Sequence, residues 1–165
     1  MAESRVVKLD LSVLSGETTR SVEFATNSRP INDQEAKVLD VLGVHYWVED
    51  SIPRVVNWDL NQMLRVIVYE TETIGTAERP IVGFTHVISA GTQNAGATDF
   101  RPVAHAWHGH WSPPPKAIEP CAKRSIGARA ELTEVQAPVG IVCHIYFRMI
   151  TIDIQDFVQL RGITW

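Results

Sequence analysis

The sequence predicts an all-β sandwich, an eight-stranded antiparallel jelly roll with a short C-terminal helix. Three observations carry that prediction. Runs with the two-residue alternation of half-buried strands recur along the chain. Loops rich in Gly, Pro, Asn and Ser separate them, so the strand–helix alternation of a parallel sheet is missing. About eight such runs suit two packed antiparallel sheets. An immunoglobulin-like sandwich is the competing architecture, but the chain lacks its Cys-Trp-Cys spacing.

The first strand is expected over residues 5–14, where Val7, Leu9, Leu11 and Val13 alternate with Lys8, Asp10 and Ser12. Ser15-Gly16-Glu17 has turn chemistry, and Val22 and Phe24 mark a second strand over 21–25. After a loop over 27–33, residues 36–48 form a long β-prone run. Gly43 in its middle marks a bulge at which the inward face changes. Residues 63–71 place Leu64, Val66 and Val68 on one face, with Arg65, Ile67 and Tyr69 on a mixed outer face. Strands are also expected over 81–90, 102–111, 126–134 and 140–152. Asp59–Met63 has the composition of a single helical turn. Asp153 reads as the cap of a helix over 154–160 that stops at Gly162. Leu9, Leu11, Val66, Val68, Phe84, Ile145 and Phe147 are the predicted inter-sheet core.

The chain is expected to form one domain, 1–165. Its 165 residues and 18.4 kDa allow about 69% of the surface to be buried, enough for one core. A hydrophobic share of 45% and a charged share of 21% are those of a globular protein, not a disordered or fibrous one. The longest apolar stretches fall far short of a membrane-spanning helix. The first ten residues mix charges with valines, unlike a secretory signal, so the protein is not expected to be secreted that way. A formal charge of −4, with no basic run, argues against direct binding of nucleic acid. Cys121 and Cys143 are too few for a disulfide scaffold and lack CxxC spacing, which suits an intracellular folding compartment.

The chemistry-bearing cluster is His105-Ala-Trp-His108-Gly-His110-Trp111. On a strand, His108 and His110 share a face and His105 lies opposite. A metal would therefore need a third ligand from elsewhere, with His86 and His144 as candidates. The pair resembles the HxH of the cupins, a metal-binding β-barrel family. Here Trp111 and then Ser-Pro-Pro-Pro follow it, and the next acid, Glu119, lies beyond that motif's spacing. The histidines therefore read as strand-surface or interface residues and no cofactor is expected; the metal role for His108 and His110 is the alternative reading. Cys143 is in phase with Ile141, Ile145 and Phe147 and reads as core, whereas Cys121, in a Pro-rich loop, is expected to be exposed. Triple proline at 113–115 reads as a rigid connector between strands. No nucleophile elbow, P-loop or HExxH motif appears.

Several segments occur in a telling order. Arg29-Pro-Ile-Asn-Asp-Gln-Glu35 feeds a long strand and Leu64-Arg-Val-Ile-Val-Tyr69 follows. Ala137-Pro-Val-Gly140 then leads into Ile145-Tyr-Phe-Arg-Met149 and a short acidic segment over 153–160. This ordering is similar to the single-jelly-roll capsid proteins of icosahedral viruses of bacteria and archaea. The resemblance implies a non-enzymatic structural subunit that assembles with copies of itself, and possibly with a second shell protein, in a virion; otherwise the protein would be cytoplasmic. Assembly is expected through sheet edges and termini. Arg5 and Val7 lie on the first strand, and Ile163 and Trp165 lie at the end of the sequence, where the tryptophan is hard to bury within its own domain. The competing function is a cupin-like, metal-dependent enzyme or small-ligand binder.

Overall fold

The computed structural model describes residues 3–14, 16–49, 62–72, 78–88, 108–132 and 140–162. The strands are β1 (Arg5–Asp10), β2 (Thr19–Ala25), β3 (Arg29–Pro30), β4 (Glu35–Glu49), β5 (Gln62–Thr71), β6 (Arg79–Ile88), β7 (His108–Trp111), β8 (Pro120–Cys121), β9 (Ser125–Leu132) and β10 (Gly140–Asp153). One helix follows, α1 (Ile154–Arg161). Each of the eight expected strands has a counterpart, and β3 and β8 are two-residue additions. Of the expected 102–111 strand, 102–107 lie outside the described residues. Of the expected turn at 59–63, residues 59–61 lie outside the described residues, and the rest is corrected: Gln62 and Met63 open β5, in continuation of the β-prone run that follows them.

Every pairing is antiparallel. In the first sheet β1 pairs with β10, β10 with β4, and the far edge of β4 is covered in turn by β3, β8 and β7. The second sheet runs β2-β9-β5-β6. Strands adjacent in sequence, such as β1 and β2 or β4 and β5, thus sit in opposite sheets. This is the jelly-roll arrangement that the alternating pattern predicts.

Between the sheets lie Leu9, Leu11, Leu39, Val41, Val44, Tyr46, Leu64, Val66, Val68, Ile126, Ile141, Cys143 and Ile145, all buried. The predicted core residues Phe84 and Phe147 are part-buried and pack against this cluster. In β4 the pairing slips: Tyr146 faces Gly43, yet Phe147 faces Val41, so Leu42 is the extra residue of a bulge beside Gly43. Val41 is the last odd-numbered residue to point inward, and Val44 and Tyr46 take over on the even phase.

Two expectations of exposure are corrected. Ile67 and Tyr69, assigned to an outer face, are buried. Glu23 accepts a 3.1 Å hydrogen bond from the Tyr69 hydroxyl, and the Arg129 guanidinium lies 5.2 Å from the ring centre, so long charged side chains roof this face. Cys121 is also buried, because β8 is laid against β4 with Cys121 opposite Leu39.

Asp153 caps α1 by accepting a 2.7 Å hydrogen bond from the Gln155 amide, and Gly162 ends it at φ 69° in the left-handed region that glycine tolerates. Phe157 and Val158 seat the helix on Ala36, Val38 and Ala122. These lie on the outer face of the first sheet.

Truncating Ile145, wholly buried between the sheets, to alanine is expected to lower unfolding free energy by about 2–5 kcal/mol. Chemical denaturation measures it. An unchanged midpoint would mean that the register of β10 is wrong.

Candidate functional site

The outer face of the first sheet divides at the bulge. On one side, Ala36, Val38, Ile150 and Ile152 are covered by α1. On the other side β4 turns His45 and Trp47 outward, since Val44 and Tyr46 are committed to the core. No described element covers this half.

The register sets out its surface in rows. Lys8 faces His144, His144 faces His45, and His45 faces His110, which gives one unbroken line across β1, β10, β4 and β7. The next row is Asp10, Val142, Trp47 and His108. On the other flank Val6 faces Tyr146, and both are exposed. The rings interlock: His45 lies 6.1 Å from His110 and 6.3 Å from His108, both edge-on, and Trp47 lies 5.2 Å from His45 and 4.7 Å from His144. Burial, followed by the neighbouring imidazoles of His110, His108 and His144, holds His45 below the usual histidine pKa.

Gly109 explains how β7 presents two imidazoles at once. It points inward between them, and a Cβ there would strike the Tyr46 ring and lie 2.6 Å from Phe84 Cδ1. Only glycine lets β7 lie this close over the core while His108 and His110 both face out.

The structure therefore brings His108, His110 and His144 onto one face and adds His45, which the sequence reading missed. Its signal was the phase change at Gly43: counted across the bulge, His45 falls outward. His86 belongs to β6 in the other sheet, opposite Leu64, and is no neighbour of this face. His105 lies outside the described residues. Among the described residues, no group of three or more His, Cys, Asp and Glu could hold a metal ion.

Of the assembly residues expected from sequence, Arg5 is exposed and lies 3.8 Å from Glu3, whereas Val7 is half-buried and packs against the core. Its neighbour Val6 is the apolar residue that β1 exposes. Among the described residues β1 pairs along one edge only, with β10. Ile163 and Trp165 lie outside the described residues.

A second polar cluster lies inside. Glu70 ends the inward face of β5 and is wholly buried. Arg79, directly across on β6, donates from Nε to Glu70 Oε1 at 2.9 Å. Its other nitrogens reach Glu119 Oε1 at 2.8 Å and the Pro120 carbonyl at 3.2 Å, so one guanidinium ties the second sheet to β8 of the first. Burial above all, with Glu70 beside it, pushes the Cys121 thiol up, and burial pushes Cys143 up to about 12. Neither is an activated nucleophile. The cluster is a structural tie between the sheets.

No protein-family model matches the chain, and no curated protein matches it in sequence. In fold it is similar to VP1 of Washington University polyomavirus, determined as an unassembled pentamer of a point mutant. The TM-score is 0.57 over 91% of this chain and 94% of that one, at 8% sequence identity. The likeness shows the fold, an antiparallel jelly-roll sandwich. Among the described residues no helix is long and apolar enough to cross a membrane.

Replacing Arg79 with methionine strands the Glu70 carboxylate in the interior. Unfolding free energy should fall by about 3–5 kcal/mol. The double change Arg79→Met/Glu70→Gln should recover much of that loss in chemical denaturation. In the folded protein at pH 8, both thiols should resist a thiol reagent for as long as the sandwich stays closed, and label on unfolding.

Proposed function

We propose that the protein is a structural shell subunit of the jelly-roll capsid kind, which assembles with copies of itself and carries out no catalysis. The observation that carries this reading is the strand order. β1-β10-β4 with β7 and β8 faces β2-β9-β5-β6, and the arrangement matches a viral capsid protein from a pentamer over nearly the whole of both chains. Three features of the surface support it. The outer edge of β1 offers backbone groups to another strand. Val6, Tyr146, Leu14, Ile31 and Ile118 are exposed apolar side chains of the kind a partner covers. The two thiols and the buried acids are engaged in packing and ion pairs rather than gathered into a reactive centre.

The reading extends to an icosahedral virus of bacteria or archaea, with the virion as location and a second shell protein as neighbour; the order of the sequence segments is what supports it. The chain serves as one domain over 1–165, with Arg5 and Val7 on the β1 edge and Ile163 and Trp165 beyond α1 as contact residues. Sheet-edge, loop and terminal contacts, each worth a few kcal/mol, are enough for cooperative assembly when repeated around a closed shell.

The competing reading, a cupin-like metal protein, has the geometry against it. A site enclosed by the sandwich needs ligands pointing between the sheets, and His108 and His110 point outward.

Light scattering after size exclusion, with electron microscopy of the fractions, should show the full chain in large closed assemblies without stoichiometric metal. Deleting residues 163–165 should reduce assembly while leaving the circular dichroism spectrum unchanged. A full chain that stays monomeric at high concentration and under particle-forming conditions overturns the reading. Truncated protein that assembles as well as the full chain removes the terminus from it.

A further inference from the structure

The imidazole row has a property that packing alone does not require. Lys8, His144, His45 and His110 are direct cross-strand neighbours, the positions whose Cβ atoms stand about 4.5–5.5 Å apart in an antiparallel sheet. The groups sharing this open half are His108 beside the row on β7, Tyr146 next to His144 on β10, Asp10 on β1 with Arg20 of β2 acting on it, and Glu49 on β4. Hydrogen bonds from the Ser12 hydroxyl and amide hold the Asp10 carboxyl below the usual carboxylate range, so it stays ionised in mild acid. With the four imidazoles neutral the face carries one lysine against two carboxylates. With all four imidazoles protonated it carries five cations against the same two carboxylates.

The two ends of the row sit on outer strands of the sheet. β1 is an edge strand, and β7 has four residues held along β4. Short and edge strands open at the lowest free energies in a fold. Neither carboxylate stands in the row itself: Asp10 and Glu49 lie further along their strands, with Val142 opposite Asp10 and Gly140 opposite Glu49.

We propose that this row is an acid switch built into the first sheet: protonation of its imidazoles sets like charges directly opposite one another across four strands and loosens β1 and β7, while the second sheet stays closed. The sign follows from His45. Its proton is held less tightly in the folded protein than in the unfolded chain. Below about pH 6.5 the unfolded state therefore takes up more protons, and the stability that the neutral form contributes is lost as pH falls through the folded value. Three opposed pairs stand in series, His144 against Lys8 and against His45, and His45 against His110, so the repulsions add along the row.

Hydrogen exchange of the full chain, read by mass spectrometry and corrected for intrinsic rates, tests this. Between pH 7.5 and pH 5, protection over residues 5–10 and 108–111 should fall about tenfold, while residues 64–70 and 126–132 of the second sheet keep theirs. In the variant His45→Gln/His144→Gln/His110→Gln the pH dependence should disappear. Should that variant fail to fold, wild type at pH 5 in 1 M salt serves instead, because a Debye length of about 3 Å screens the exposed charges and should restore protection. Unchanged protection in the wild type, an equal loss in the triple variant, an equal loss in both sheets, or no recovery in salt overturns the switch. Light scattering is followed alongside exchange, so that protection lost with disassembly is told apart from loosening within the subunit.

Discussion

One extra residue in β4 governs the arrangement of this molecule. β10 keeps the same phase through Ile141, Cys143, Ile145 and Phe147, all directed to the core, whereas β4 changes phase at Leu42-Gly43. Because side chains alternate across a strand, a one-residue slip exchanges its faces. Without the bulge, either Leu39 and Val41 or Val44 and Tyr46 would be turned out of the sandwich. With it, β4 feeds the core along most of its length. Gly43 suits the site, since a Cβ there would lie 3.2 Å from the Trp111 carbonyl of the adjacent strand.

The same bulge divides the outer face. Before it, small and β-branched side chains at Ala36 and Val38 make a seat for α1. After it, aromatic and imidazole side chains point to solvent. The helix is held at its last turn by Arg161, which donates two hydrogen bonds to the Glu72 carboxylate just beyond β5. That ion pair crosses from the helix on the first sheet to the second sheet. Arg79 makes the equivalent crossing inside, between Glu70 and the residues around β8. Hydrophobic burial drives the sheets together without fixing their relative position. These two arginines, with their directional donors, contribute to fixing it. The internal one has an unmet demand: Glu70 Oε2 has no hydrogen-bond partner among the described residues. A buried carboxylate in that condition rewards specificity of packing more than stability.

Among the described residues, the edge of β1 away from β10 is unpaired and half of the first sheet's outer face is uncovered. The unpaired edge of β1 and the open half-face adjoin each other, with Val6 opposite Tyr146 where they meet. An assembly contact there would therefore touch the histidine row as well. Shell association and proton uptake would then draw on one surface.

The sequence by itself determined the strand set, the capped helix and much of the core, because alternation over Val7 to Val13 or Leu64 to Val68 is a property of consecutive residues. It also marked Gly43 as the point of phase change and put His108 and His110 on one face. What it could not contain was which strand lies beside which. Tyr69 is buried because Glu23 and Arg129, from β2 and β9, close over it, and Cys121 is buried because β8 lies against β4. His45 joins His110 and His144 because the register across three strands places them in line. Local pattern decides which way a side chain points from its own strand, and only the pairing of distant segments decides what it then meets.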